Sequence, residues 1–276
     1  MKTILDGGLY YEGPRWHDGR LWFVDCMART LLSISPAGEA REHATFDDTP
    51  CGTGVLPDGR LVILTMFKKQ LHTFADGTLA PYADLSAIAA GTLDDMIVDG
   101  LGRAWVGDLG FDMPPPADRG AAGRIILVMP DGSARVVAEG LRFPNGMAVS
   151  PDNGRLVVAE MDGACLAEYA LEKDGLRLER KLACAREPDG ICLDREGAVW
   201  VASYDEGVFV RIGRDGRELA RIAVPGRRAI ACALGGPGRR TLFCLSARTS
   251  PEEMRQRKSS SRIDVVDVDV PGAGSP

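Results

Sequence analysis

Histidine is nearly absent from this chain. The three present, His17, His43 and His72, share no repeat position, so a Ser-His-Asp triad or an imidazole-based metal nest is not expected. There is no Gly-x-Ser-x-Gly nucleophile elbow. The glycines of GGPGRR (235–240) fall in a hairpin turn without the Lys-Ser/Thr ending of a phosphate loop. The seven cysteines are odd in number, contain no Cys-x-x-Cys and mostly sit inside apolar runs such as ICL and FCL, which excludes a disulfide framework and a thiolate zinc site. No apolar stretch approaches the roughly 18 residues of a membrane span. The opening MKTILDGGLYYEGP lacks the apolar core of a signal peptide. A cytoplasmic protein with no membrane association is therefore expected. With 33 Lys+Arg against 39 Asp+Glu the formal charge is −6, which argues against a nucleic-acid partner and leaves a small-molecule one. The one basic cluster, in RTSPEEMRQRKSSSR (248–262), has no interleaved aromatics and reads as a solvated loop.

What the chain does contain is one phrase written six times: a polar or small residue, an apolar alternation, a Gly turn and a second apolar run. The copies are EGPRWHDGRLWFVD (12–25), GTGVLPDGRLVILT (52–65), DDMIVDGLGRAWVGD (94–108), NGMAVSPDNGRLVVAE (145–160), DGICLDREGAVWVAS (189–203) and AIACALGGPGRRTLFCLS (229–246). Their turn glycines, Gly19, Gly59, Gly102, Gly154, Gly197 and Gly238, are 40, 43, 52, 43 and 41 residues apart. A period near forty with two strong strands per unit leaves room for two weaker outer strands, the signature of propeller blades. The pattern predicts an all-β, six-bladed β-propeller with four-stranded blades, as a single domain over 1–270. No long 3.6-residue period competes; 84–90, 166–173 and 251–258 are each short enough to be a blade connection or a local turn.

Two further features bear on this frame. The third unit is long because of GFDMPPPADRGAAG (110–123), a Pro- and Gly-rich insertion expected to form a loop, and a candidate lid, over one face. The ring also has to close. The final alternation Ile263, Val265, Val266, Val268 supplies a third strand to the last unit, and the N-terminal strand is expected to join that blade as its outermost member. PGAGSP (271–276) is expected to be a flexible tail.

The first strands of propeller blades begin at the central channel, so residues at that position converge although they are far apart in sequence. Through the six units the position holds Glu12, Cys51-Gly52, Asp94, Asn145, Asp189 and the neighbourhood of Arg228-Ala229. Three carboxylates and a carboxamide are the donors a hard divalent cation prefers, and three carboxylates grouped without a cation repel one another. Glu12, Asp94, Asn145 and Asp189 are accordingly the candidate metal ligands. Calcium is the leading ion, with Mn, Mg and Zn as alternatives.

The segments EGPRW at Glu12, GTGVLPDGRL at Gly52, FPNGMAVSPD at Phe143 and EPDGICLDREGAVWVASY at Glu187 together resemble, over nearly the whole chain, the regucalcin (senescence marker protein) and gluconolactonase family. The resemblance implies a six-bladed propeller that hydrolyses sugar lactones around one divalent metal, held by Glu12, Asn145 and Asp189 with the blade-three residue completing or flanking the sphere. It also marks a departure. Where that family commonly has Asn followed by Asp, with an Arg two residues earlier, this chain reads Thr92-Leu93-Asp94-Asp95. Losing the guanidinium removes a fork of donors for sugar hydroxyls or a carboxylate. Asp94, Asp95 and, in the insertion, Asp112 are the candidate substrate contacts; Tyr11, Trp16 and Tyr204 are candidate wall residues.

These readings point to a metal-dependent hydrolase of lactones or related cyclic esters. The metal would polarise the carbonyl, and Asp189, the candidate catalytic residue, would orient or deprotonate the attacking water. An organophosphate hydrolase of the diisopropylfluorophosphatase type and a non-catalytic calcium- or ligand-binding propeller are the alternatives.

Overall fold

The computed structural model describes residues 1–274. Strand β1 (Lys2–Gly8) is followed by β2–β5 (Tyr11–His17, Arg20–Asp25, Thr30–Ile34, Ala40–Thr45) and β6–β9 (Pro50–Val55, Leu61–Thr65, Gln70–Ala75, Thr78–Asp84). Next come β10–β13 (Leu93–Val98, Ala104–Asp108, Gly123–Val128, Ala134–Leu141) and β14–β17 (Pro144–Val149, Arg155–Glu160, Cys165–Glu172, Gly175–Ala183). The last strands are β18–β21 (Pro188–Leu193, Val199–Ser203, Val208–Ile212, Glu218–Ala223) and β22–β24 (Arg228–Gly235, Thr241–Arg248, Ser260–Asp267). They form six separate four-stranded antiparallel sheets, each a run of consecutive strands except the last, whose order is β1-β24-β23-β22. This is the six-bladed propeller expected, closed by the N-terminal strand.

The hairpins follow from local chemistry. Asp18 and Gly19 both take positive φ, 47° and 71°, between His17 and Arg20, which face each other across the β2–β3 ladder. That is the backbone an Asp-Gly pair supplies most readily in a two-residue loop. The segment 251–258 contains the short helix α1 (Pro251–Arg255), with Ser250 accepting from the Glu253 N–H at its start. The segment 166–173 is not a connection: it lies almost wholly in β16, and its consecutive residues Leu166 and Ala167 are fully buried on opposite faces of the blade, Leu166 with Val201 and Ala167 with Trp105.

The core is divided among the blade interfaces. Period-two alternation makes both faces of a blade apolar: Ile63 packs towards blade one with Val24 and Leu31, while Val62 and Leu64 pack towards blade three with Met96 and Val106. Six such clusters alternate with six blades, and the last joins blade six to blade one through Phe23, Ile230 and Phe243. Among the described residues no helix is long and apolar enough to cross a membrane.

The C-terminal residues differ from expectation. Gly272 bridges Asp194, the Gly272 N–H donates to Arg239 O at 2.9 Å, and the Ala273 N–H donates to Leu193 O at 3.1 Å. Pro271–Gly274 thus docks against the end of the channel where the first strands finish, since glycines there let backbone meet backbone. Residues 275 and 276 of the expected tail lie outside the described residues.

Candidate functional site

In every blade the ladder between the first and second strands loses register where the first strand begins. The breaks fall between Glu12 and Arg15, Pro50 and Thr53, Leu93 and Met96, Pro144 and Met147, Pro188 and Ile191, and Ala229 and Ala231. A bulge re-aims the side chains it releases from pairing. The released residues include Asp94, Asp95, Asn145 and Asp189, and Glu12 borders the break in blade one. The glycines that follow are required by crowding at the hub. A Cβ on Gly146 would lie 2.4 Å from Asp189 O, and one on Gly190 would lie 2.5 Å from Ala231 Cβ. Asn-Gly and Asp-Gly therefore encode both a donor and the close approach of neighbouring blades.

Asp94, Asp95 and Asp189 are buried, Glu12 is half-buried, and the four carboxylates act on one another. Burial pushes the Glu12 carboxyl well above its ordinary range, and the Asp189, Asp95 and Asp94 charges push it further. Asp189 is raised likewise, first by burial and then by Asp94 and Asp95, against a stabilising hydrogen bond from Asn145. Asp94 is raised to about 7 by burial and by Asp95; the Cys51 thiol, 3.5 Å from its Oδ1, opposes this. Four residues read from the repeat, Glu12, Asp94, Asn145 and Asp189, thus face one region. Among the described residues no three His, Cys, Asp or Glu side chains are gathered closely enough to hold a metal ion as they stand. The chemistry of the donor set nevertheless suits a hard cation: oxygen donors, desolvated, with their negative charges opposing one another.

Asp95 belongs to the hub instead of the mouth. Its Oδ1 accepts from the Met96 N–H at 2.7 Å and lies 3.7 Å from Arg15 Nη2, while Arg15 also donates to Met96 O at 2.6 Å. Arg15 is 5% exposed, so this cation is a fixed counter-charge beneath the carboxylates. Asp112 is apart from the group: its side chain is 79% exposed and lies 3.8 Å from Lys69 Nζ. Tyr11 packs edge-on against Phe23 in the core, and Trp16 stacks on Phe243. Of the proposed wall residues only Tyr204 reaches the carboxylates: burial, then the Asp189 charge, raises its hydroxyl to about 12.

The insertion is a fixed wall. The Thr92 N–H donates to Phe111 O at 2.9 Å, and Thr92 Oγ1 accepts from the Met113 N–H at 3.0 Å. Arg119 bonds Asp162 at 3.1 Å and lies 5.4 Å over the Phe143 ring. Phe111 meets Phe143 edge-on at 5.8 Å. Thr92 is 1% exposed beneath this loop, so the position is spent on anchoring the wall.

Sequence reasoning missed three features. Tyr10 is half-buried beside Tyr204 and the carboxylates, Met161 Sδ lies 3.9 Å from Asn145 Nδ2, and Phe143 stands two residues before Asn145. A buried carboxylate ring supports them from outside: Asp25 accepts from the Leu9, Tyr10 and Ala28 N–H groups, Asp108 from those of Ala90, Gly91 and Gly110, and Glu160 from that of Arg142. The signal was present, since WFVD, WVGD and VVAE end three of the repeats at these residues.

Residues 11–248 match the SMP-30/gluconolactonase/LRE-like region, which takes in all four hub residues. The chain belongs to the SMP-30/gluconolactonase/LRE-like family. Among relatives within reach of this SMP-30-like chain, the pentonolactonase XacC of Haloferax volcanii is 28% identical over 249 residues, covering 86% of this chain and 81% of that protein. A 6-deoxy-6-sulfogluconolactonase of Pseudomonas putida is 32% identical over 191 residues, covering 66% and 64%. The fold matches a luciferin-regenerating enzyme with a TM-score of 0.82, at 20% identity and over 98% and 96% of the two chains. It also matches a calcium-binding regucalcin from Agrobacterium tumefaciens with a TM-score of 0.79, at 23% identity and over 100% and 96%. At these identities the two structures speak for the fold alone.

Proposed function

We propose that this SMP-30-family protein is a divalent-metal-dependent lactonase, a hydrolase acting on a small cyclic ester. The observation that carries the reading is the desolvated, mutually repelling group of Glu12, Asp94 and Asp189 beside Asn145, in a chain whose 28%- and 32%-identical relatives are named lactonases. Glu12, Asn145 and Asp189 would hold the ion, with Asp94 completing or flanking the set, and calcium suits carboxylate and carboxamide oxygens best. A bound divalent cation supplies Lewis-acid polarisation of a carbonyl and stabilises charge developing on its oxygen. Asp189 accepts the proton of the attacking water, a role open to a carboxylate that has one oxygen free. Asn145 orients Asp189 by donating its amide N–H. Arg15 holds Asp95 in place below, so that Asp95 contributes negative charge to the hub without facing the substrate. All seven cysteines are free thiols, which agrees with a reducing, cytoplasmic setting.

A panel of lactones against a panel of divalent metals on chelator-stripped protein tests this reading. Activity is expected to vanish on chelation and to return with metal. Asp189→Ala is expected to lower kcat by roughly 10²- to 10⁴-fold with an unchanged circular dichroism spectrum. Absence of turnover for every lactone under every metal would sink it.

A further inference from the structure

The mouth above the carboxylates has two unlike sides. Over blades five and six it is charged, but the charges are already matched. Arg228 pairs with Asp205 and lies 5.3 Å over the Tyr204 ring. Of the cations on the other sides, Arg119 is matched by Asp162 at 3.1 Å and Lys69 by Asp112 at 3.8 Å. The hydroxyl groups nearby are engaged in part: those of Tyr10 and Tyr204 adjoin each other, and the buried Thr92 Oγ1 accepts from the Met113 N–H. Over blades three and four the wall is apolar. Phe111, Phe143 and Met161 are all partly exposed there, and Met161 touches the Asn145 amide. This wall is held in place by the ring contact between Phe111 and Phe143 and by the insertion's hydrogen bonds to Thr92.

A site that selects a polyhydroxylated ring needs free donors and acceptors, because specificity for hydroxyls comes from polar groups that would otherwise be left unpaired. An apolar wall rewards buried methylenes instead. Resting on the lactonase reading, we infer that the mouth takes a lactone bearing an apolar alkyl or aryl substituent, seated against Phe111, Phe143 and Met161, in preference to a sugar-acid lactone. The carbonyl end faces Glu12, Asn145 and Asp189, and the substituent points towards blade four.

Two series test this. Calorimetric binding of 2-alkylcyclopentanones, which carry the ring carbonyl but no cleavable ester, should tighten about fourfold per methylene from the methyl to the butyl member. Phe143→Ala and Met161→Ala should each flatten that slope, and agreement between the two guards against a folding defect in either. In turnover, γ-alkyl lactones should show kcat/KM rising with chain length and exceeding that of the 1,4-lactone of a five-carbon sugar acid. A flat ketone series, slopes that neither variant changes, or a preference for the polyhydroxylated lactone would overturn the inference. Chain-length-dependent ketone binding without hydrolysis of any lactone would leave the apolar wall standing and remove the lactonase reading alone.

Discussion

Asp94 shows what the hub residues cost the fold. Its carboxyl is raised to about 7 by burial and by Asp95, whereas in the unfolded chain it ionises in the ordinary carboxylate range near 4. A group raised in the folded state keeps its proton longer there, so between those two values the native protein binds more protons than the unfolded one. The sign follows: stability is fully present at low pH and is lost as pH rises through about 7. Chelator-treated protein is expected to resist urea better near pH 5 than near pH 8, and Asp94→Asn is expected to flatten that difference and to be the more stable form near pH 8. Equal midpoints for wild type and variant at both values would count against the mutual repulsion described. Tolerating such a site is common where function requires destabilised groups.

At the scale of elements, the bulge at the head of each first strand and the closing strand matter most. The bulge frees Asp94, Asn145 and Asp189 from ladder pairing while the rest of the strand stays buried on both faces. The closing strand β1 covers the edge of β24, with Thr3 Oγ1 donating to Asp264 at 2.6 Å. Removing residues 1–8 bares β24 and uncovers part of the interface between blades six and one, where Ile4 and Leu5 pack. A loss of roughly 3 kcal/mol corresponds to a melting temperature lower by about 5 °C, which calorimetry would detect together with concentration-dependent association. A truncated protein that melts like the full chain would show that ring closure contributes little. The outermost strands were the least legible elements, since β5, β17 and β21 are largely exposed and carry a weak alternation. Their pairing with the inner strands creates the blade.

For the whole molecule, the hub joins what the chain separates. Glu12, Asn145 and Asp189 come from blades one, four and five, so a cation held by them would tie blade one to blades four and five across the channel. Under the proposed reading, calcium at about 100 times its Kd should stabilise the fold by roughly 2.7 kcal/mol. The gain should be smaller at low pH, where protons compete for the raised carboxylates. Titration calorimetry and melts of wild type against Asp189→Asn check this; an equal calcium-induced shift in the variant would place the ion elsewhere.

The blade count, the closing strand and the shared place of Glu12, Asp94, Asn145 and Asp189 at the heads of first strands are legible in the primary structure, because a repeat near forty residues encodes its own geometry: one position in the phrase is one place in the ring. Residues outside that phrase had no such guide. Asp95 was read as a substrate contact, yet folding sets it on Arg15, a partner eighty residues earlier. Asp112 was read towards the site, yet the insertion leaves it at the surface beside Lys69. Tyr10, Phe143 and Met161 gained their place at the mouth only when blades one, three, four and five closed around the channel. Composition and spacing fix which residues recur; which of them meet, and which are spent on holding a wall, depends on contacts that exist only after the ring has formed.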